Sequence, residues 1–310
     1  MINKTLINLG FLESRNTQDY LYVFMHIPKC AGSTIVGLIK EKYGKDAILQ
    51  LDPNHTAQTE ELIQSMSQKQ RNSIKFIYGH QAYYGIHRLF DRETRYFTTL
   101  RNPVKRVISH YNYTRYYRPP LQQKMIGILQ QDPTKDNKEV LLTFEEWIKQ
   151  DSWVACNFMT RHLYDRRSHT TNREHNTEIV KKPVDRKALE EAKNLLKKFY
   201  FIGFVESSFD DMAFLANRLD LKFHNLKNIN VKEKKLQATE ITTQEKLILE
   251  KNTLDIELYN YAIELRKEQK LSHLKDYDKS IFYTKTVSSL RRSGLSLKRK
   301  AQPFKKLFRK

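Results

Sequence analysis

Residues 20–44 read YLYVFMHIPKCAGSTIVGLIKEKYG, and the fold turns on how this stretch divides. Residues 22–27 are a short apolar run rich in β-formers, the length and composition of a buried strand. Beyond Pro28 and Gly32, the side chains of Ile35, Val36, Leu38 and Ile39 recur at helical spacing. Ser33 is of the residue type that caps helix N-termini, which puts the helix start beside it. The reading is strand, tight loop, helix. Such a unit aims free backbone N–H groups and the positive end of a helix dipole at the space above the strand end. That space suits an anion.

Working outward, strands are expected at residues 47–51, 75–79, 95–101 and 200–205. Helical patterns fall at 34–43, 59–70, 103–117, 143–150, 155–164 and 185–198, and after the last strand at 209–219, 242–249 and 254–270. The alternation predicts an α/β fold of three layers, a mostly parallel central sheet flanked by helices. Ligands in such folds gather beyond the carboxyl ends of the strands. Three of those ends carry polar signals: HIPKCAGST, YGHQ and TLRNPVKR. Residues 132–138 and 169–182 are polar and weakly patterned, and they read as excursions suited to acceptor recognition.

The chain of 310 residues is long enough for a large domain with a full core. Its formal net charge of +20 favours anionic partners. Much of the excess sits in residues 279–310, which hold 11 Lys or Arg and no Asp or Glu; without them the balance falls to +9. That segment reads as a flexible appendage. Cys30 and Cys156 are the only cysteines, too few for a disulfide framework or a zinc site, and no metal is expected. No apolar run approaches the roughly 18 residues of a membrane span, and the opening MINKTLINLGFLESRN lacks the apolar core of a signal peptide. A cytoplasmic setting is expected.

The loop at residues 28–34 is not a Walker A sequence, because its lysine precedes its single glycine. Its parts still make an anion cradle. Small residues let the backbone approach a phosphate, Ser33 and Thr34 offer hydroxyls, and Lys29 offers a mobile cation. A plain strand-to-helix turn with a solvated lysine would read the same way in isolation. The later stretch RYFTTLRNPVKRVISHYNY again ends a strand, at Arg101, and opens a helix with Asn102-Pro103. Proline fits the first helical turn, where its missing N–H costs nothing. Ser109 lies nearly two turns in, so the planar fork of Arg101 and a helix hydroxyl can converge on one phosphate. His80, just past a strand end beside Gly79, is suited to taking a proton from an alcohol near neutral pH. Each residue alone has an ordinary structural reading; their order along the chain is the stronger signal.

Together these motifs resemble the sulfotransferases that use 3′-phosphoadenosine 5′-phosphosulfate (PAPS), in the branch of heparan sulfate 2-O- and 6-O-sulfotransferases and their bacterial relatives. HIPKCAGST is similar to that family's 5′-phosphosulfate loop, and LRNPVKRVISHY to its 3′-phosphate motif, with Asn102 in place of a frequent aspartate and Cys30 in place of a frequent threonine. YFIGFVESSFDDMAFLANRLDL and NTLDIELYNYAIEL resemble the family's late strand and closing helix. The resemblance implies a P-loop-like fold of sulfotransferase type over residues 20–270, with residues 1–19 as a lead-in and 271–310 as a basic tail. It implies PAPS as donor, adenosine 3′,5′-bisphosphate (PAP) as product, and a hydroxyl acceptor, by analogy a glycan. Lys29, Cys30, Ala31, Gly32, Ser33 and Thr34 would hold the 5′-phosphosulfate, and Arg101 with Ser109 the 3′-phosphate. Lys29 and His80 would be catalytic, His80 as base. Arg161, in NFMTRHLY, and the pair Tyr83–Tyr84 with His87 are candidates for the acceptor side; Asn230 and Lys232 fall where relatives fold a loop over the nucleotide.

Two other classes remain at this point. A P-loop-type nucleotide kinase would use a similar strand–loop–helix, but it calls for glycine before lysine and for magnesium-binding acids, and neither pattern is seen. A basic nucleic-acid-binding protein would explain the charge, yet the excess is concentrated in a tail and no nucleic-acid fold motif is present, so nucleic acid is not an expected partner. The tail's Phe304, Leu307 and Phe308 fall on one helical face among Lys and Arg, which fits an anionic membrane surface. Oligomeric state is not legible.

Overall fold

The strand that opens the decisive stretch is the centre of the sheet. In the computed structural model, residues 19–51, 56–132, 134, 136–164, 184–207, 211, 214–216, 219 and 238–272 are described. The opening unit is β1 (Leu21–Met25) and α1 (Gly32–Lys42). Next come β2 (Ile48–Gln50), α2 (Thr56–Ser65), α3 (Gln68–Ser73) and β3 (Phe76–Gly79). Then β4 (Thr94–Leu100) leads into α4 (Pro103–Tyr117), followed by the short α5 (Pro120–Met125). A hairpin, β5 (Leu129–Asp132) and β6 (Lys138–Leu141), precedes α6 (Phe144–Lys149) and α7 (Phe158–Leu163). The remainder is α8 (Arg186–Leu196), β7 (Phe201–Phe204), α9 (Ala238–Lys251) and α10 (Thr253–Ser272).

The main sheet has five strands in the order β2-β3-β1-β4-β7, all parallel. Its two faces are packed by alternate residues of each strand, as period-two geometry requires. Along β1, Leu21, Val23 and Met25 enter one core with Ile77, Tyr96, Leu100 and the helices α4, α6, α7, α8 and α10. Phe24 enters the other with Phe76, Phe97, Phe201 and Ile35, Leu38 and Ile39 of α1. The chain passes from β3 across β1 to β4, so the sheet's winding reverses at β1. A crevice at such a switch point is where ligands sit in open α/β sheets.

The expected α/β architecture, with a mostly parallel sheet between helical layers, is the one observed. Three local expectations are corrected. The helix expected at 59–70 is two helices, because Ser67 starts a new one with a capping box: its side chain accepts from the Gln70 N–H while Gln70 reaches back to its N–H. The polar stretch around 132–138 is the turn of an antiparallel hairpin rather than an open excursion. The helix expected from 155 begins only at Phe158, after Asn157 takes a left-handed conformation with φ 48°. The expectations for residues 1–18, 169–182, Asn230, Lys232 and the tail from 273 fall outside the described residues. Among described residues, no helix is long and apolar enough to cross a membrane.

Candidate active site

Three adjacent strands, β3, β1 and β4, deliver His80, Lys29 and Arg101 to the same edge of the sheet. Each residue lies just beyond the carboxyl end of its strand. The convergence follows from topology: β1 pairs with both neighbours, so Met25 lies beside Gly79 on one side and Thr98 on the other.

The loop after β1 is held in an unusual backbone form. Lys29 and Ala31 both have positive φ, 69° and 61°, although neither is glycine. Such conformations cost free energy and persist where surrounding contacts impose them. Here the Cys30 N–H returns to the Ile27 carbonyl at 3.3 Å and the Thr99 hydroxyl donates to the Cys30 carbonyl at 2.5 Å. Left-handed residues on either side of Cys30 give the backbone form of a nest, in which successive N–H groups can face one concavity. The Thr34 N–H turns back to Ala31, whereas those of Ala31, Gly32 and Ser33 have no acceptor among the described residues.

The helix starts earlier than expected. Gly32 is its first residue, Ala31 is the N-cap, and no side chain caps it, so Ser33 is not the cap but an exposed residue of the first turn. An uncapped N-terminus with unsatisfied N–H groups is a positive pole awaiting negative charge. Cys30 contributes backbone only. Its side chain is fully buried in the core, its Sγ faces the Pro28 carbonyl at 3.8 Å, and burial pushes the thiol up to about 12. The Cys30 thiol therefore bears on the core rather than on the face of the nest.

Two glycines are fixed by space. A Cβ on Gly32 would fall 1.9 Å from the His26 ring. Strand alternation turns His26 to the same face as Phe24, the face α1 covers, so its imidazole meets the first residue of that helix. Gly79, with φ +149°, would bring a Cβ to 2.6 Å from the Leu51 carbonyl. The Gly-His pair is thus a close crossing of β2's exit that frees His80 to turn across β1.

His80 hydrogen-bonds through Nδ1 to the His26 carbonyl at 3.0 Å, and the two imidazole rings lie 4.3 Å apart. A carbonyl only accepts, so Nδ1 carries the proton and the neutral ring has its lone pair on Nε2. His26, by contrast, is held at about 3 by burial, with His80 adding to the shift, and is neutral at any ordinary pH.

Arg101 binds the nest from the β4 side, its Nη1 donating to the Lys29 carbonyl at 3.3 Å. Its Nε is buried and has no hydrogen-bond partner among the described residues, a donor that an anion would satisfy. Asn102 does the aspartate's capping work: its side-chain oxygen accepts from the Lys105 N–H at 3.2 Å, and its own N–H donates to Glu206 at 3.0 Å. With Pro103 at the first helical position, that cap fixes where α4 begins. Ser109 is buried in α4, one turn before Tyr113, whose ring holds the Lys29 ammonium 3.8 Å from its centroid. The helix face carrying Ser109 therefore turns toward the Lys29 loop.

Buried groups of α4 and its neighbours pack behind these residues. Beside Ser109, His110 is buried with Nδ1 unpartnered among the described residues, and burial, then Arg106, Lys29 and His80, hold it well below the usual imidazole range. Arg106 is fully buried, donates to the Val154 carbonyl and stacks on Phe158 at 4.8 Å. Asp255, whose charge opposes Arg106, accepts from the Met159 and Thr160 N–H groups at 2.9 and 2.7 Å. Asn157 returns the favour, accepting from the Leu254 and Asp255 N–H groups at 3.0 and 3.2 Å. The helices α7 and α10 thus cap each other, and NFMTRHLY and NTLDIELY meet in space.

Other candidates resolve differently. The Tyr96 hydroxyl accepts from the Gly85 and His87 N–H groups and lies 2.8 Å from the His87 Nδ1, while the buried Tyr83 donates to Glu60 at 2.5 Å. These groups brace the loop after β3. Arg161 lines a cavity of about 650 Å³ with Trp153, Cys156, Lys124 and Lys251, apart from the nest. Among the described residues, no group of three or more His, Cys, Asp or Glu is placed to hold a metal.

The model of the Sulfotransferase family matches residues 15–262. No curated protein matches the chain.

Proposed function

We propose, from the premise that the chain belongs to the sulfotransferase family, that it transfers a sulfuryl group from PAPS to an acceptor hydroxyl, with a carbohydrate as the acceptor class. One observation carries the reading: the nest, His80 and Arg101 converge beyond the carboxyl ends of three adjacent strands, and Arg101 bonds the nest's own backbone.

The residues fit a donor with phosphate groups at two positions. The unsatisfied N–H groups of Ala31, Gly32 and Ser33, the N-terminus of α1 and the Ser33 and Thr34 hydroxyls would hold the 5′-phosphosulfate, with Cys30 lending backbone only. Arg101, with its unpartnered Nε, and Ser109 would hold the 3′-phosphate. PAPS supplies an activated sulfur–oxygen bond, and PAP is the leaving product. His80 would take the acceptor hydroxyl's proton on Nε2, the nitrogen that the His26 carbonyl leaves basic. Lys29 would place its ammonium against the charge that grows on the leaving phosphate oxygen, which is where preorganised electrostatics count most. Arg161 lines a cavity apart from the nest, so the acceptor hydroxyl is assigned instead to the space beside His80 Nε2.

The test is transfer of labelled sulfate from PAPS to fractionated glycans, lipids and small alcohols. His80→Ala should leave donor affinity near that of the parent while turnover falls by roughly 10²–10⁴. Near-normal turnover of His80→Ala on the best acceptor would remove histidine from the mechanism.

A further inference from the structure

Lys29 extends from a strained loop residue to α4, where its ammonium rests 3.8 Å from the Tyr113 ring centroid. A second cation, the Arg118 guanidinium, lies 4.6 Å from the centroid of the same ring. Tyr113 itself is half-buried and stacks on Tyr117 with centroids 6.1 Å apart, so its plane is fixed from within the helix. An aromatic face attracts a cation through its quadrupole, and the attraction strengthens as water is excluded.

We propose that Tyr113 is a positioning residue for Lys29: its ring pre-orders the ammonium at the mouth of the nest, so that the donor's 5′-phosphate meets a cation already in place. This rests on the reading of Lys29 as a donor-binding residue. An unrestrained lysine loses its side-chain freedom when an anion captures it, and a lysine already laid on a ring loses less. Tyr113 stands one helical turn beyond Ser109, so α4 carries the proposed 3′-phosphate contact and the platform for the 5′ end on one face.

The experiment is calorimetric titration of the full chain with PAP, which retains the 5′-phosphate and requires no acceptor. Tyr113→Leu should weaken binding by about three- to tenfold, the range for ordering one long side chain. Tyr113→Phe keeps the ring face and should bind as the parent does. In a Lys29→Ala background, Tyr113→Leu should add nothing, whereas a purely structural loss would persist there. If Lys29→Ala weakens PAP binding and Tyr113→Leu does not, or tightens it, the positioning role is overturned and the reading of Lys29 stands. If Lys29→Ala itself leaves affinity unchanged, the reading beneath the proposal fails. Thermal midpoints of all variants, recorded alongside, separate misfolding from lost binding.

Discussion

Gly32→Ala is the sharpest perturbation of the site, because one added carbon has nowhere to go. Its Cβ would lie 1.9 Å from both Cδ2 and Nε2 of His26 and 2.6 Å from Cε1. The imidazole cannot simply swing aside: it stacks on Phe24 at 5.3 Å and sits 4.3 Å from the His80 ring. Either α1 backs away, opening the nest, or His26 moves and disturbs the carbonyl that fixes His80. Overpacking of this kind costs about 1–3 kcal/mol, against which the helix preference of alanine over glycine returns at most about 1 kcal/mol. Urea denaturation of the single and double variants checks the mechanism. Gly32→Ala should lower stability by about 1–2 kcal/mol and weaken PAP binding in parallel. In a His26→Ala background the stability cost should vanish, since the atoms it collides with are gone. An unchanged cost in that background would refute the steric argument.

Three further outcomes follow from the same contacts. Asp255→Ala leaves two buried backbone N–H groups of α7 without their acceptor, so it should cost about 2–4 kcal/mol in urea denaturation, with Asp255→Asn recovering part. His26, held near 3 when folded against 6.5 as its ordinary value, makes the unfolded chain the better proton acceptor between those limits. Its contribution to stability is therefore full above pH 6.5 and is lost progressively as pH falls toward 3; His110 adds in the same direction, and His26→Phe should flatten the acid limb of a stability–pH curve. Asn102→Ala should cost about 1 kcal/mol through the lost cap of α4, while Asn102→Asp should be neutral or better, as thermal midpoints would report.

The parts of this fold that are legible in sequence are those set by local rules. The helix α4 runs over the expected residues because Asn102 and Pro103 fix its start and Arg118 leaves helical geometry at its end. The inner strands β3, β1 and β4 are paired on both sides and largely apolar, so their composition identifies them. The hairpin β5–β6 escapes notice because LQQD and KEVL carry too few apolar residues to alternate visibly. Ser33 misled because its residue type fits a cap, whereas the strained loop made Ala31 the cap instead. Within the candidate site, the placement of Lys29, His80 and Arg101 past three strand ends is legible in the sequence, because each follows a short apolar run. The wedge of His26 under Gly32 and the mutual capping of Asn157 and Asp255 are not. Both join residues that no periodicity links, and only strand pairing or helix packing brings them together.

Arg101 and the nest of residues 29–34 would grip two different phosphates of one nucleotide. Calorimetry of the parent chain and Arg101→Ala, each with PAP and with adenosine 5′-phosphate, measures this directly. The parent should prefer PAP, and Arg101→Ala should erase that preference by losing about 1.5–3 kcal/mol with PAP and little with adenosine 5′-phosphate. Equal losses for both nucleotides, or no preference in the parent, would contradict it.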